Sequence, residues 1–173
     1  MSRFELKIWD DECERCTFYS VLQEDADHME TDYFLMRYEN NPIYTEALQT
    51  LVTFIIEAMG NRHGALNAFF NRHENEVDGF PAQGKIKLGT FDYHYPNFPL
   101  RLYALRITEN IVILFNGGIK DGPTNQTSSL HAQWKEACSY AQQITRAIQD
   151  GTILVNEENR ILNSFDGGND IIL

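Results

Sequence analysis

The sequence lacks any apolar run near the roughly 18 to 20 residues that a membrane helix requires. Its opening, MSRFELKIWD, is acidic and strand-like where a signal peptide would be basic and then apolar. A cytoplasmic protein with no membrane partner is expected. Cysteine is scarce: Cys13, Cys16 and Cys138 make an odd number, which argues against a secreted disulfide framework. Cys13 and Cys16 form a CxxC, but no second pair and no closely spaced histidines follow to complete about four zinc ligands, so they read as residues of a turn. His63 and His73 match no short metal spacing. GxSxG, P-loop and GxGxxG patterns are also missing, which removes the usual support for hydrolase triads, nucleotide triphosphate chemistry and dinucleotide redox. Neither metal nor cofactor is expected.

Basic residues are in short supply. The chain of 173 residues carries 14 Lys+Arg against 25 Asp+Glu, a net charge of −11. The deficit is uneven. Residues 1–60 hold 4 basic and 13 acidic residues, residues 61–150 hold 9 and 8, and residues 151–173 hold 1 and 4. An acidic protein is repelled by phosphate backbones, so a nucleic-acid site needs a local basic patch, and only the middle segment can supply one. The acidic first third suits a basic protein partner or plain solubility.

What is present is a well-patterned globular chain, 43% hydrophobic and 12% aromatic. Phe4, Leu6 and Ile8 alternate with Glu5, Lys7 and Trp9, and CTFYSVLQ repeats the pattern with Phe18, Ser20 and Leu22, predicting a hairpin within residues 1–26 closed by DDECER. Residues 27–72 read as helical. TDYFLMRY gives a short helix with Thr31 as cap. Asn41 as N-cap, Pro42 at the first helical position, and Tyr44, Ala47, Leu48, Leu51, Ile55, Ile56 and Met59 at three and four spacing predict a helix over 42–59 closed by Gly60. ALNAFFNR adds a turn or two.

Gly79, Pro81 and Gly84 predict a loop over 73–84. Residues 84–120 hold three strand candidates, KIKLGTFDY, LRLYALRI and NIVILFN, expected as an antiparallel meander. After the loop GGIKDGPTNQTSS, the residues Trp134, Ala137, Cys138, Ala141, Ile144 and Ile148 write a helix over 130–150 that stops at Gly151. In the tail, 151–173, TILV and RIL pair about NEEN, and DGGND looks frayed. Strands, helices, meander and helix in that order predict a single α+β domain: an antiparallel sheet of the N-terminal strands and the meander, with N-terminal helices and a C-terminal helix.

The chemistry-bearing residues gather in the meander. Lys85 and Lys87 share a face of an ideal strand, as do Arg101 and Tyr103, while Arg106 points opposite to Arg101. Lys120 follows the last strand, where Gly117 and Gly118 permit a close approach of backbone to a ligand or to another strand. Lys85, Lys87, Arg101 and Lys120, with His94, Tyr95, Tyr103 and His131 nearby in sequence, are the groups that metal-independent RNA cleavage needs. A base takes the proton of the attacking 2′-hydroxyl, cations stabilise charge on the phosphate oxygens, and an acid protonates the leaving oxygen. Taken singly, the same residues also read as ordinary solvent-facing strand cations beside core aromatics.

The stretch LRLYALRITENIVILFNGGIKDG, followed by a helix and preceded by helices, resembles the C-terminal half of the RelE/ParE toxin superfamily, particularly its HigB-like branch, over residues 40–150. The resemblance implies a RelE-like fold and the toxin of a bacterial toxin-antitoxin pair, with an antitoxin partner. Its activity would be ribosome-dependent mRNA cleavage, or in a branch of the same fold, gyrase poisoning. By position Arg101 looks like the strand arginine that contacts phosphate and Lys120 like the basic residue after the last strand. Lys85 and Lys87 match lysines of an earlier strand, and His131 or Tyr103 would supply a proton. The alternatives are a non-catalytic interaction module on that fold, favoured by the acidity of residues 1–60, and an unrelated α+β protein.

Overall fold

The computed structural model describes residues 3–121 and 130–173. The strands are β1 (Phe4–Asp10), β2 (Thr17–Gln23), β3 (His73–Glu74), β4 (Val77–Phe80), β5 (Lys85–Leu88), β6 (Phe91–His94), β7 (Leu100–Thr108), β8 (Ile111–Ile119), β9 (Ile153–Asn156), β10 (Ile161–Ser164) and β11 (Ile171–Ile172). The helices are α1 (Glu30–Tyr38), α2 (Thr45–Thr53) and α3 (His131–Gln149), with a π-helical segment at Phe54–His63 and a 3-10 turn at Asn67–Phe69. The chain is of mixed α and β content.

Seven strands form one sheet in the order β11-β1-β2-β8-β7-β4-β3. The β1–β2 and β7–β8 hairpins form as their alternating patterns predict. The expectation of a purely antiparallel sheet is corrected where they meet: β2 and β8 run parallel, with Thr17 opposite Ile111 and Ser20 opposite Leu114. Parallel strands need a long crossover, and residues 24–110, which include α1 and α2, supply it. Ile111, Val112, Ile113, Leu114 and Phe115 are all buried, because this strand is covered on both faces. That explains why NIVILFN shows no polar alternation.

One face of the sheet is covered by α1, α2, the π-helical segment and the β5–β6 ribbon, around Phe18, Phe34, Leu51, Phe54, Leu102 and Leu114. The other is covered by α3 and the β9–β10 ribbon, around Tyr19, Tyr103, Ile113, Phe115, Tyr140 and Ile144.

The three-stranded meander over 84–120 is also corrected. KIKLGTFDY is divided by a turn into β5 and β6, which form a separate two-stranded ribbon. The place it was expected to take beside β7 belongs to β4, with Gly79 opposite Tyr103 and Phe80 opposite Leu102. Gly79 and Pro81, read as loop signals, lie in and just after that strand. Its glycine serves a close approach described below.

The helix expected over 42–59 is shorter at its start. Helix α2 begins at Thr45, and Asn41 instead takes the Ile43 N–H on its side-chain oxygen, 3.1 Å away. At its end the chain continues as π-helix through Gly60, whose carbonyl accepts the N–H groups of Arg15 and Cys16 at 2.8 and 3.2 Å. Thr31 lies within α1 and caps nothing: its hydroxyl bonds Ser20 at 2.7 Å and donates to the Phe115 carbonyl at 2.9 Å. The β9–β10 hairpin is as expected, and past DGGND the chain adds β11 to the edge of β1. Of the loop expected after β8, residues 122–129 lie outside the described residues.

Candidate functional site

The site begins at an irregularity of the β7–β8 hairpin. Leu102 stands opposite Gly117 but Ala104 opposite Leu114, so β8 carries an extra residue there. A side chain on Gly117 would start 1.8 Å from the Arg101 carbonyl oxygen, so only glycine lets the two strands come this close. The close approach read from the glycine pair is thus to another strand. Arg37 Nη1 donates to the Gly117 carbonyl at 3.0 Å and fixes the bulge from α1.

Arg101 projects from β7 toward the face that α3 covers. Its stem lies against Gly79 on β4: a Cβ there would meet Arg101 Cδ and Arg72 Cδ, each at 2.9 Å. Two arginines therefore lie side by side over one glycine. Arg72 donates through Nε to the Pro81 carbonyl at 3.1 Å. Arg101 is 5% exposed, and its Nη1 has no hydrogen-bond partner. Burial, and then the charge of Arg72, push its pKa down to about 10.

Lys120 joins them from beyond β8. Its backbone N–H donates to the Pro99 carbonyl at 2.7 Å, locking the strand end beside the start of β7. Its Nζ is buried and without a hydrogen-bond partner. Burial lowers its pKa, with a further lowering from Arg101. Glu74 acts on all three cations in the opposite direction. Yet among the described residues no carboxylate lies within ion-pairing distance of Arg72, Arg101 or Lys120. A buried cation normally has a paired anion or a full set of acceptors, because desolvation is otherwise uncompensated. Three cations gather here, and two of them, Arg101 and Lys120, keep a buried donor unfilled, an arrangement that suits an anion.

The other expected site residues are distributed differently. Tyr103 is on the same face as Arg101 but fully buried, and burial raises its pKa above the usual tyrosine value. Its phenol belongs to the core under α3. His131 is the first residue of α3 and exposed, with its ring 5.6 Å from that of Trp134. Trp134 Nε1 donates to the Glu74 carbonyl at 3.0 Å, which ties this end of α3 to β3. The start of α3 also borders the strand end, since a Cβ on Gly118 would come within 2.9 Å of Leu130 Cδ2.

Lys85 and Lys87 are not brought to this group. Ile86, between them, is buried in the core on the opposite side of the sheet, with Leu100 and Leu102. The two lysines face outward from that ribbon and are exposed. His94 stands opposite Lys85 and is likewise exposed. Tyr95 packs its ring against Phe54 and Phe98.

Sequence reasoning missed Arg72, Glu74 and Gly79. Their signal was hidden because HENEVDGFP contains Gly79 and Pro81 and shows little alternation. A lone Val77 and Phe80 around Gly79 was the one trace of a strand.

Cys13 and Cys16 sit in the β1–β2 turn and both are buried, with burial raising each thiol to about 12. Among the described residues no group of three or more His, Cys, Asp or Glu is arranged to hold a metal ion, and no helix is long and apolar enough to cross a membrane. Compared with known protein families, with curated proteins and with solved structures, the chain matches none.

Proposed function

We propose that this chain is a RelE/HigB-like toxin of a bacterial toxin-antitoxin pair that binds RNA phosphate at Arg72, Arg101 and Lys120 and cleaves mRNA on the ribosome. The observation that carries the reading is the pair of buried, unpartnered donors, Arg101 Nη1 and Lys120 Nζ, in a protein of net charge −11. Buried donors are worth more to a bound anion than surface ones, because the local dielectric is low and no water reorganisation is needed when charge develops.

In this reading Arg101 and Arg72 hold the non-bridging oxygens of the scissile phosphate. Lys120, whose pKa is lowered, takes the proton of the attacking 2′-hydroxyl as the P–O bond forms. His131, at the exposed start of α3, returns a proton to the leaving 5′-oxygen. The nucleophile is the RNA's own hydroxyl, so the products are a 2′,3′-cyclic phosphate and a 5′-hydroxyl, and no metal takes part.

The test is a translating ribosome programmed with a defined mRNA, followed by mapping of 5′ ends. The reading requires new ends with wild type and none with Arg101→Ala. Uncut mRNA with both proteins would refute it.

A second reading, a non-catalytic interaction module on a RelE-like fold, draws on two observations: Lys85 and Lys87 stand apart from Arg101, and the Tyr103 phenol is buried. Uncut mRNA, together with capture of RNA or a basic partner by the folded chain, would favour it.

A further inference from the structure

Gln133 carries a buried side-chain oxygen that the proposed cleavage chemistry does not use. Its Oε1 is shielded from solvent and, like Arg101 Nη1 and Lys120 Nζ, has no hydrogen-bond partner. A buried polar atom left unpaired is costly, and such atoms are rare enough that each asks for a physical reason. The arginine and lysine nitrogens can only donate, and the amide oxygen can only accept.

Helix α3 lays this acceptor over the cations. Leu130, just before the helix, lies against Gly118: a Cβ there would come within 2.9 Å of Leu130 Cδ2, and Gly118 stands directly opposite Arg101. On the other side Trp134 Nε1 donates to the Glu74 carbonyl of β3 at 3.0 Å. β7 and β4 lie between β8 and β3, and α3 packs on β8, β7 and β4. The first turn of α3 is therefore laid across the strands that carry Arg101 and Gly79. Residues three and four apart are neighbours on a helix, so Gln133 shares the sheet-facing side with Leu130 and Ala137, both buried in the core beneath α3. His131, two residues earlier, is the group assigned above to the leaving 5′-oxygen.

We infer that Gln133 reads a sugar hydroxyl of the ligand whose phosphate Arg72, Arg101 and Lys120 hold: its Oε1 accepts the 2′-hydroxyl of the ribose on the leaving side of that phosphate. Unfilled donors alone suit any anion. An unfilled acceptor beside them suits a ligand that also brings a neutral donor, and a ribonucleotide brings both. The 2′-hydroxyl is the group that lets a protein tell RNA from DNA. The attacking hydroxyl belongs to the preceding ribose, so Lys120 and Gln133 act on different hydroxyls. A deoxyribonucleotide would leave Oε1 buried and unpaired, and a site built to bond a hydroxyl rejects the analogue that lacks it. This role rests on the phosphate site proposed above and narrows its ligand from a phosphate to a ribonucleotide.

The test is isothermal titration calorimetry of the full chain with cytidine 5′-monophosphate, its 2′-deoxy analogue and its 2′-deoxy-2′-fluoro analogue. Fluorine can accept but cannot donate, so wild type should bind the ribonucleotide roughly tenfold more tightly than either analogue. Gln133→Met should bind all three alike. Arg101→Ala should weaken all three, because the phosphate contact is common to them. Circular dichroism checks that the variants fold, and the wild-type comparison needs no variant.

Equal affinity of wild type for the ribonucleotide and its deoxy analogue, binding of neither, or a preference that survives in folded Gln133→Met would overturn the inference. If that happens while mRNA cleavage still depends on Arg101, the cleavage reading stands alone. A ribonucleotide preference that disappears in Gln133→Met, with no cleavage by any variant, leaves the hydroxyl contact standing and the cleavage reading refuted.

Discussion

Arg72 and Arg101 lie side by side over Gly79, each Cδ 2.9 Å from the point where a side chain on that glycine would begin. Among the described residues no carboxylate is ion-paired with either, and the arrangement depends on the absence of one methyl group. Gly79→Ala must push the arginine stems aside. Because stems can yield, the predicted cost is about 1–3 kcal/mol, with loss of phosphate affinity. Gly117→Ala meets the Arg101 carbonyl and adjoining backbone, which cannot yield, and its cost should reach about 3 kcal/mol or more. Urea unfolding of the two variants checks the order.

The core beneath the π-helical segment is aromatic. Phe54 makes edge-to-face contacts with Phe69, Phe80 and Tyr95 and is 1% exposed. Phe54→Ala should cost about 3–5 kcal/mol in chemical denaturation. A cost below about 1 kcal/mol would mean that the ring is not packed as described.

Glu30 is buried at the start of α1 beside Glu136 of α3, with Gln23 donating to it at 3.3 Å and Arg37 and Tyr140 nearby. Burial, and then its hydrogen bond with Glu136, raise its pKa from the usual 4.5 to about 8. A carboxyl raised on folding stabilises fully below its unfolded pKa, and that contribution is lost as pH rises through the folded one. Stability from this group should fall between pH 4.5 and 8. Glu30→Gln should flatten that slope and melt several degrees higher than wild type at alkaline pH. Melting curves across the pH series check it, and an unchanged slope would show that Glu30 ionises freely.

The two turn cysteines should behave as inert core thiols. With both pushed up to about 12 and buried, iodoacetamide at pH 8 should label neither Cys13 nor Cys16 in the folded chain and both after unfolding. Rapid labelling of the folded chain, read by mass spectrometry, would instead identify a reactive pair.

Strands and helices with clear periodicity were legible in the sequence. The β1–β2 and β7–β8 hairpins and α3 follow from alternation and from three and four spacing. What local pattern does not carry is which strand pairs with which, so neither the parallel junction of β2 with β8 nor the separation of the β5–β6 ribbon was visible. Arg101 and Lys120 were legible as a pair because they flank one hairpin. Arg72 was not, since its partnership with Arg101 runs through a glycine that reads locally as a loop.

The central claim is that Arg101 and Lys120 arm a toxin. The most direct measurement is growth and bulk translation in a bacterial host after induction of the wild-type chain and of the Arg101→Ala, Lys120→Ala double variant, with folding of both verified by circular dichroism. Arrest of translation by wild type, with normal growth on induction of the folded variant, is the predicted result. Arrest by both would show that the two cations do not carry the toxicity, and undisturbed translation with both would contradict the claim that the chain is a toxin.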